Sequence, residues 1–450
     1  MAAFADHPTV LTMRARAVAG ALPEAPKTLD AAWLRDLCLE AGADDVGFVS
    51  IESPDIAAQK AEILAAFGQT KTAVSFVCRM NRENIRTPAR SVANVEFHRS
   101  GDEINDTARH IVAALQDAGI AARNGAPVGF PMEADRWGAR NMWVVSHKPI
   151  AVAAGLGRMG IHRNVIHPKF GNFILLGTIL VDAEISAYNA PLDYNPCLSC
   201  KLCVAACPTG AISPDGAFNF QACYTHNYRE FMGGFGEWVE SIADARSAKD
   251  YRRKVSDPET ISMWQSLSFG ANYKAAYCLS VCPAGEDVIG PYLADRVAFS
   301  KAVVEPLRAK QETIYVAPNS DAETYVPRHF PHKTIKRVPS GLPRQTSVRG
   351  FLQALPLVFQ RGRAKDLKAT YHFVFTGREE VKATVVIADK TLRVVDGHEG
   401  KADLSVTADS ETWVRFLRKE AKLPFALIAR RVRLKGSPRL LLAFARCFPT

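Results

Sequence analysis

Four cysteines near the middle of the chain have the spacing of iron–sulfur ligands. Residues 196–212 read PCLSCKLCVAACPTGAI, a CxxCxxCxxxCP pattern formed by Cys197, Cys200, Cys203 and Cys207. Three thiolates on one tight loop can bind a single cluster, while the fourth serves a second cluster. A structural zinc site is the alternative, but zinc usually takes two CxxC pairs separated by a longer spacer. The spacing, closed by a proline, therefore predicts an iron–sulfur cluster.

A second, shorter cysteine motif follows about 70 residues later. Cys278 and Cys282 lie in AAYCLSVCPAGED, which repeats the CxxxCP end of the first motif, and Cys223 lies between the two motifs. In two-cluster ferredoxins the last cysteine of each motif ligates the cluster of the other motif. This exchange predicts two ligand sets: Cys197, Cys200, Cys203 and Cys282 for cluster 1, and Cys207, Cys223 and Cys278 for cluster 2.

Cluster 2 is one thiolate short, because a complete second motif would have a cysteine where the chain has Ala275. Three outcomes stay open: a three-iron cluster, a cubane with a foreign fourth ligand such as His226 or Tyr277, and a site-differentiated cubane. In a further alternative, Cys223 and Cys278 are ordinary buried thiols.

Composition indicates a globular protein of two or three domains. The 450 residues are 48% hydrophobic and 23% charged, and no run of 18 apolar residues occurs. The N-terminus has no signal-like apolar core, and the cysteines suit a reducing compartment, so we expect a cytoplasmic protein. Residues 331–450 carry 24 Lys and Arg against 10 Asp and Glu, a net +14, which marks a domain boundary. This basic tail favours an acidic partner or surface, or is simply a solvated face.

Hydrophobic periodicity predicts an α/β domain before the cysteines. We expect helices over 28–42, 56–67 and 100–118, and strands over 45–50, 72–78 and 173–182. Residues 300–348 are predicted to be helix, strand and proline-spaced linker. The tail is predicted to form strands over 370–377, 382–390, 391–397 and 402–410, a helix over 410–421, then a strand and an amphipathic helix.

Three segments supply further candidate site residues. The turn AGLGRMG has glycines at Gly155, Gly157 and Gly160, but the loop and strand that follow argue against a dinucleotide site, which needs a helix there. These glycines, with His162, are instead predicted to approach a flat cofactor or a cluster closely; a hydrogen-bonded structural role is the alternative for His162. The polar loop 125–140 offers Glu133 and Asp135 as proton donors, and the aromatic insertion after Cys223 offers Tyr224.

The run AGLGRMGIHRNVIHPKFG, the strand FILLGTILVD and the cysteine motifs resemble epoxyqueuosine reductases and reductive dehalogenases over about residues 30–290. This resemblance implies a nitroreductase-derived, cobalamin-reductase-like α/β domain joined to a bacterial two-cluster ferredoxin-like module. Cobalamin is thus an implied cofactor. Two departures stand out: Ala275 replaces a cluster cysteine, and Asn141 falls where the epoxyqueuosine members keep an acidic proton donor.

The segments ADLSVTADSETWVRFL and RVRLKGSPRLLLAFARCF resemble the sterol carrier protein type 2 fold over about 349–450. This resemblance implies an α+β domain that handles an apolar ligand, contacts a membrane surface or mediates dimerisation. The predicted domains are 1–190 for cofactor and substrate, 191–300 for the clusters with their aromatic insertion, 301–348 as linker and 349–450 for the sterol-carrier-like fold.

Together these features predict an iron–sulfur oxidoreductase that reduces a small, largely apolar molecule, and the resemblance implies that it depends on a corrinoid. A ferredoxin or flavodoxin is the expected electron donor, and nucleic acid is not expected as a partner. Two alternatives stay open. The first is an epoxyqueuosine-type reductase acting on tRNA, with the basic tail as its electrostatic footprint. The second is a non-catalytic electron-transfer or lipid-handling protein, which Ala275 favours.

Overall fold

The computed structural model describes residues 4–20, 26–125, 144–342 and 344–449. In its N-terminal part the helices are α1 (Pro8–Val18), α2 (Ala31–Glu40), α3 (Lys60–Ala66), α4 (Arg82–Arg86), α5 (Arg90–Asp117) and α6 (His147–Ala153). The strands are β1 (Thr28–Leu29), β2 (Asp45–Ser50), β3 (Thr72–Arg79), β4 (Ala122–Asn124), β5 (Arg158–Met159), β6 (Val165–Ile166), β7 (Ile174–Val181) and β8 (Glu184–Ile185). Among the described residues, no helix is long and apolar enough to cross a bilayer.

An antiparallel sheet in the order β2-β3-β7-β4 forms the centre of this part. Its central strand β3 is buried on both faces because successive side chains point in opposite directions. Val74 and Phe76 share a core with residues of α2 and α5, whereas Ala73 shares one with residues of α3 and α6. Helices thus cover both faces of the sheet, and the mixed α/β architecture expected from the sequence is confirmed.

Helix α5 begins ten residues before the predicted start at Ser100, which is a buried residue inside the helix. The added turns bury polar side chains, including Arg90, Asn94 and Glu96. Asn94 accepts a hydrogen bond from the backbone N–H of Tyr273, at 2.9 Å. These polar residues contact a distant part of the chain. The first turns of α5 therefore lack the apolar stripe from which the rest of the helix was predicted.

Asp45, at the start of β2, joins three parts of the N-terminal domain. Its carboxylate accepts hydrogen bonds from Arg35 in α2 at 2.9 Å, from His167 after β6 at 3.0 Å and from the N–H of Val46 at 2.8 Å. Burial raises the pKa of Asp45, but these hydrogen bonds outweigh it and lower the pKa to about 2. The carboxylate form is therefore favoured by folding.

Asp45→Asn is expected to lower the free energy of unfolding by about 1–2 kcal/mol, since the side chain is partly exposed. A depressed carboxyl pKa stabilises the fold above the unfolded value of about 4, and this stabilisation is lost as the pH falls toward about 2. The difference between the two proteins, measured by urea denaturation, should therefore be the same at pH 7 and pH 5. The exposed neighbour variant Asp36→Asn is the control; an equal loss there would contradict the assignment.

The cluster region follows as a series of helices: α7 (Leu202–Ala206), α8 (Phe220–Asn227), α9 (Phe235–Ala243), α10 (Ala248–Lys254), α11 (Asp257–Phe269), α12 (Tyr277–Ser280), α13 (Glu286–Ala294), α14 (Arg296–Phe299) and α15 (Glu305–Ala309). The predicted linker 301–348 differs from expectation, because strand β9 (Thr313–Val316), helix α16 (Asp321–His329) and strand β10 (Thr334–Arg337) form a parallel βαβ unit. Its apolar residues share a core with Cys203 and Cys207. The segment is therefore part of the cluster region's packing.

The C-terminal part is a five-stranded sheet with helices. Its elements are α17 (Val348–Val358), β11 (Ala369–Thr376), β12 (Val381–Ala388), β13 (Thr391–Asp396), β14 (Leu404–Asp409), α18 (Ser410–Leu417), α19 (Leu423–Ile428), β15 (Val432–Gly436) and α20 (Pro438–Arg446). The strand order is β13-β12-β11-β14-β15, with only β11 and β14 parallel among these described strands. The rings of Phe373, Phe375 and Trp413 pack together in the core.

Candidate metal centre

The two cysteine motifs adopt the same local structure. Lys201 has φ 56° and immediately precedes α7, while Ala276 has φ 52° and immediately precedes α12. These left-handed residues turn the chain so that a cysteine follows in the first turn of each short helix, Cys203 in α7 and Cys278 in α12. The two helices contact each other. In this correspondence, Ala275 stands where the first motif has Cys200.

The thiols predicted to bind cluster 1 lie close enough to affect one another. Burial raises the pKa of Cys203, and the neighbouring thiols of Cys278, Cys282, Cys200 and Cys197 raise it further. Burial likewise raises the pKa of Cys282 to about 12, with contributions from Cys200, Cys197 and Cys278. Thiolates crowded in this way repel one another unless positive charge is placed among them, which is the role iron has in a cluster.

The thiols predicted to bind cluster 2 form an adjoining group. The pKa of Cys223 is raised well above its ordinary value by burial, then by Cys278 and Cys207. Burial raises the pKa of Cys278 to about 12, and Cys207 is the first neighbouring thiol that adds to this shift. All of these cysteines are free thiols. The donor set fits two clusters side by side, with Cys278 and Cys203 where the groups meet; the assignment of each cysteine to a cluster stays a prediction.

No group of three or more His, Cys, Asp and Glu side chains in the described part of the chain is arranged to hold one metal ion. The ligands of a single ion must converge on one point, whereas the four thiolates of a cubane each bind a different iron atom.

Backbone N–H groups point at two of the sulfurs. The N–H of Ile161 donates to Cys197 Sγ at 3.4 Å, and the N–H of Ala211 donates to Cys207 Sγ at 3.3 Å. Hydrogen bonds to cluster sulfurs stabilise negative charge and tune the reduction potential. Ile161 directly follows the glycine turn, so this turn lies against the first cysteine motif.

The predicted cofactor-binding glycines pack against the protein's own backbone. A Cβ atom at Gly157 would lie 2.4 Å from the carbonyl oxygen of Ile166, and one at Gly155 would lie 2.8 Å from that of Ala190. At Gly160 a Cβ would meet the side chains of Ile166 and His162. The glycines thus allow close packing between the turn and neighbouring segments; their role toward a cofactor stays a prediction.

His162 is buried, and burial lowers its pKa to about 4, so the ring is neutral at physiological pH. Its Nδ1 accepts the N–H of Asn164 at 3.1 Å, and its Nε2 faces the side-chain amide of Asn172 at 3.5 Å. The imidazole therefore has structural partners at both ring nitrogens. Binding of a cofactor by His162 stays a prediction.

The predicted proton donors fall into two groups. Glu133 and Asp135 lie outside the described residues. Tyr224 is buried between Phe220 and Tyr228, at ring distances of 5.4 and 5.7 Å, and burial raises its pKa to about 12. A catalytic role for these three residues stays a prediction.

The two foreign ligands suggested for cluster 2 are otherwise engaged. The hydroxyl of Tyr277 donates to Glu312 at 2.7 Å, and Glu312 in turn pairs with the buried ammonium of Lys333 at 2.6 Å. His226 accepts the N–H of Tyr315 on Nδ1 at 3.3 Å, so the neutral ring carries its proton on Nε2. That nitrogen is buried and has no partner among the described residues. A protonated Nε2 is a hydrogen-bond donor and not a metal ligand.

Lys148 in α6 was not predicted, because nothing in its sequence surroundings distinguishes it. The side chain is exposed, yet the surrounding protein lowers its pKa, while the thiols of Cys278 and Cys223 oppose this shift. The ammonium of Lys148 therefore lies near both thiols. Cys223 and Cys278 are themselves partly accessible, as are Tyr228 and Tyr273, whose rings meet edge to face at 5.8 Å. These five residues define what we call the Lys148 recess.

Two buried arginines lie beside the second motif and were also missed. Arg90 in α5 donates to Ser280 Oγ at 3.3 Å and lies 5.4 Å over the ring of Tyr277, so it contacts residues on both sides of Cys278. Arg86 lies over the rings of Phe173 and Phe299. Nε of both residues, and Nη2 of Arg86, have no partner among the described residues. Buried guanidinium groups of this kind need nearby negative charge, which anionic clusters would supply.

The C-terminal domain packs directly on helix α8, which carries Cys223. Gln221 donates to the carbonyl oxygen of Pro449 at 2.9 Å, and Gln360 donates to Gln221 Oε1 at 2.7 Å. Asn219 donates to Gln360 Oε1 at 3.1 Å. Both glutamines are fully buried, so this amide network joins the C-terminal domain to the cluster region.

The C-terminal domain also has a cavity of about 580 Å³. It lies at the ends of β11 and β12, and its lining includes the charged side chains Arg349, Glu380, Lys382 and Asp396. Phe375 and Val381, which belong to the apolar core of the domain, also line it. Whether an apolar ligand binds this domain, as the resemblance implies, stays a prediction.

Comparison with protein families agrees with the two motif regions. Residues 190–213 match the 4Fe-4S binding domain, and residues 353–449 match the SCP-2 sterol transfer family. The chain therefore combines a 4Fe-4S binding region with a sterol-carrier domain, joined to an α/β N-terminal part.

Similar proteins include two epoxyqueuosine reductases. That of Aliivibrio fischeri is 30% identical over 102 residues, which is 23% of this chain and 27% of the relative. That of Staphylococcus aureus is 39% identical over 80 residues, which is 18% of this chain and 20% of the relative. The chain thus spans less than a third of these relatives' lengths. The resemblance expected from the sequence is confirmed.

Similar solved structures include epoxyqueuosine reductases and reductive dehalogenases. Epoxyqueuosine reductase from Streptococcus thermophilus has a TM-score of 0.35 at 15% identity, covering 60% of this chain and 74% of that one. An epoxyqueuosine reductase with an epoxyqueuosine-modified tRNA stem loop has a TM-score of 0.33 at 15% identity, covering 56% and 64%. A catabolic reductive dehalogenase has a TM-score of 0.37 at 16% identity, covering 61% and 34%.

Proposed function

We propose that this protein is a cytoplasmic iron–sulfur reductase in which two clusters carry electrons to a substrate at the Lys148 recess. The observation that carries the proposal is the packing of α7 against α12, which places seven free thiols in two adjoining groups. Cys197 and Cys200 are partly accessible, as are Cys223 and Cys278 of the Lys148 recess. Electrons from a ferredoxin or flavodoxin would enter at cluster 1 and leave from cluster 2.

The chain's own residues suit the delivery of electrons and protons at this recess. The ammonium of Lys148 donates to the carbonyl oxygen of Arg163 at 2.7 Å, which fixes it near the thiols of Cys223 and Cys278. A cation in that position stabilises negative charge that arrives on cluster 2 or on the reduced substrate. Each two-electron reduction requires two electrons from the donor, passed singly, and protons from groups at the recess such as Tyr228.

Corrinoid dependence is the finer part of the proposal. A bound corrinoid would supply a low-potential cobalt centre for reduction of the substrate. The four residues predicted to contact it, which are Gly155, Gly157, Gly160 and His162, pack against the protein's own chain and do not form an open cradle. No step of the reaction is therefore assigned to the corrinoid.

Metal analysis and spectroscopy of anaerobically purified protein test the proposal. Iron and acid-labile sulfide should be present in amounts for two clusters, and electron paramagnetic resonance (EPR) of the dithionite-reduced protein should show them. The protein is then incubated with cobalamin and passed through gel filtration. Its absorption spectrum shows whether cobalamin is retained. Zinc without iron and sulfide would refute the reductase, whereas clusters without retained cobalamin would refute only the corrinoid.

A tRNA is the second candidate substrate. The expectation that nucleic acid is not a partner is weakened, because the relatives are epoxyqueuosine reductases and one solved structure includes a modified tRNA stem loop. The basic tail would then serve as the electrostatic footprint. Turnover of an epoxyqueuosine-containing stem loop, compared with that of small apolar substrates, distinguishes the two candidates.

Ala275→Cys is expected to complete cluster 2. Ala275 is buried, lies in one apolar core with Cys203 and Cys207, and corresponds in local structure to Cys200. A thiolate at this position supplies the fourth corner of a cubane. If the native cluster has three irons, the variant should contain about one more iron per chain, and the EPR signal of the oxidised three-iron form should disappear.

The matched control is Ala322→Cys, a buried alanine of α16 in the same apolar core. It should leave iron content and the EPR spectrum unchanged. An Ala275→Cys protein with unaltered iron and an unaltered spectrum would show that the native cluster is already four-iron or that position 275 does not face it.

A further inference from the structure

Helix α19 in the C-terminal domain presents two large apolar side chains to solvent. Phe425 is 66% exposed and Ile428 is 80% exposed. They are three residues apart, so they lie on the same side of the helix. Ala426, between them in sequence, is buried and packs in the domain core. The helix is therefore anchored by one face, and its opposite face is apolar and uncovered.

The chain that includes α19 and β15 is strongly basic from Lys422 onward, and Glu420 is the nearest carboxylate in sequence. Residues 421–450 contain seven Lys and Arg and no Asp or Glu. The seven cations are Lys422, Arg430, Arg431, Arg433, Lys435, Arg439 and Arg446. All of them are exposed, and none forms an ion pair with another described residue. The helix contacts β15, the edge strand of the sheet, which carries Arg433 and Lys435. Charged residues on an edge strand protect it from pairing, but this role does not explain the protruding Phe425 and Ile428.

We propose that the α19 face, defined by Phe425, Ile428 and the five cations of residues 422–435, docks this protein on an anionic lipid bilayer. Apolar tips flanked by Lys and Arg are the features of segments that lie in the bilayer interface. The apolar tips enter the boundary between headgroups and acyl chains, while the cations contact lipid phosphates. A nucleic acid would also attract the cations, but an exposed isoleucine gives it no favourable contact, whereas a bilayer accepts both side chains.

The contact brings the cluster region to the membrane surface. Because the C-terminal domain is joined to α8 through the buried Gln221 and Gln360, the two regions are held together when α19 docks. A reductase held in this way reaches apolar substrates that partition into the bilayer. This inference does not depend on the clusters, and it holds even if the proposed reductase activity fails.

The test is co-sedimentation of the full-length protein with vesicles of phosphatidylcholine, with and without phosphatidylglycerol. We expect binding to the anionic vesicles only, weakened by added salt. The double variant Phe425→Ser/Ile428→Ser should bind at least about tenfold more weakly. The matched control is Leu293→Ser/Val297→Ser, which removes apolar side chains of 63% and 64% exposure from α13 and α14. It should bind like the wild type.

Thermal unfolding of both double variants checks that they are folded. Equal binding to neutral and anionic vesicles, no binding to either, or an equal loss in the control would overturn the proposal. A tRNA that the wild type binds and the Phe425→Ser/Ile428→Ser protein does not, with no vesicle binding by either, would assign this face to nucleic acid and overturn it as well.

Discussion

Cys278→Ala is expected to remove one of the two cluster signals and about half of the bound iron. Burial and the neighbouring thiol of Cys207 raise the pKa of Cys278. The thiol of Cys207 also raises the pKa of Cys223, so the three thiols lie close together. Cluster 2 already lacks a thiolate at Ala275, so loss of Cys278 would leave it with two, too few to hold a cluster. The measurements are iron and sulfide content and EPR of the reduced protein under anaerobic conditions.

Cys282→Ala is the companion variant, because Cys282 is predicted to be the fourth ligand of cluster 1. The neighbouring thiols of Cys200 and Cys197 raise the pKa of Cys282. It should diminish the other signal and spare the one that Cys278→Ala removes. Cys447→Ala controls for general effects, since Cys447 is buried in the C-terminal domain. If both signals survive in Cys278→Ala, or if both companion variants lose the same signal, the ligand assignment is wrong.

Arg90→Gln is expected to lower the reduction potential of cluster 2 by on the order of 100 mV. Burial lowers the pKa of Arg90, but a guanidinium retains its charge in proteins. Its contacts with Tyr277 and Ser280 place this charge beside Cys278. A nearby cation favours the reduced cluster, which is more negative by one electron, so its removal makes reduction harder. Redox titration followed by EPR measures the shift.

Arg90→Lys and Arg99→Gln are the comparison variants. Lysine at position 90 keeps the charge and should restore most of the potential, which a purely structural role would not predict. Arg99 lies on the same helix α5, but its side chain is 80% exposed, so its removal should leave both potentials unchanged. A potential for Arg90→Gln equal to that of the wild type would contradict the proposed charge compensation.

Local patterns allowed much of the fold to be predicted. Strand β2 was predicted at 45–50 and β3 at 72–78, and the structure has them at Asp45–Ser50 and Thr72–Arg79. The four tail strands were likewise predicted close to β11, β12, β13 and β14. These elements follow from alternation or continuous burial of neighbouring residues, which is a property of the local sequence.

The linker and the start of α5 could not be predicted in this way. Residues 313–337 form a βαβ unit whose apolar side chains complete the core around Cys203 and Cys207, a contact that spans more than 100 positions. The first turns of α5 bury Arg90 and Asn94 against residues 272–280. Polar residues with distant partners look like surface residues in a sequence, so their burial is invisible until the partner segment is placed.

By itself, the sequence determined which residue types could bind iron and sulfide, because the spacing within each cysteine motif is a local property of one loop. Only the tertiary structure decided which motif meets which, as α7 packs on α12, and which charges surround them, as Lys148, Arg86 and Arg90 come from other elements. It also decided that the C-terminal domain rests on α8 through Gln221 and Gln360, which are 139 positions apart. The physical reason is that thiolate ligation depends on short-range spacing, whereas electrostatic compensation and domain docking depend on contacts between residues far apart in the chain.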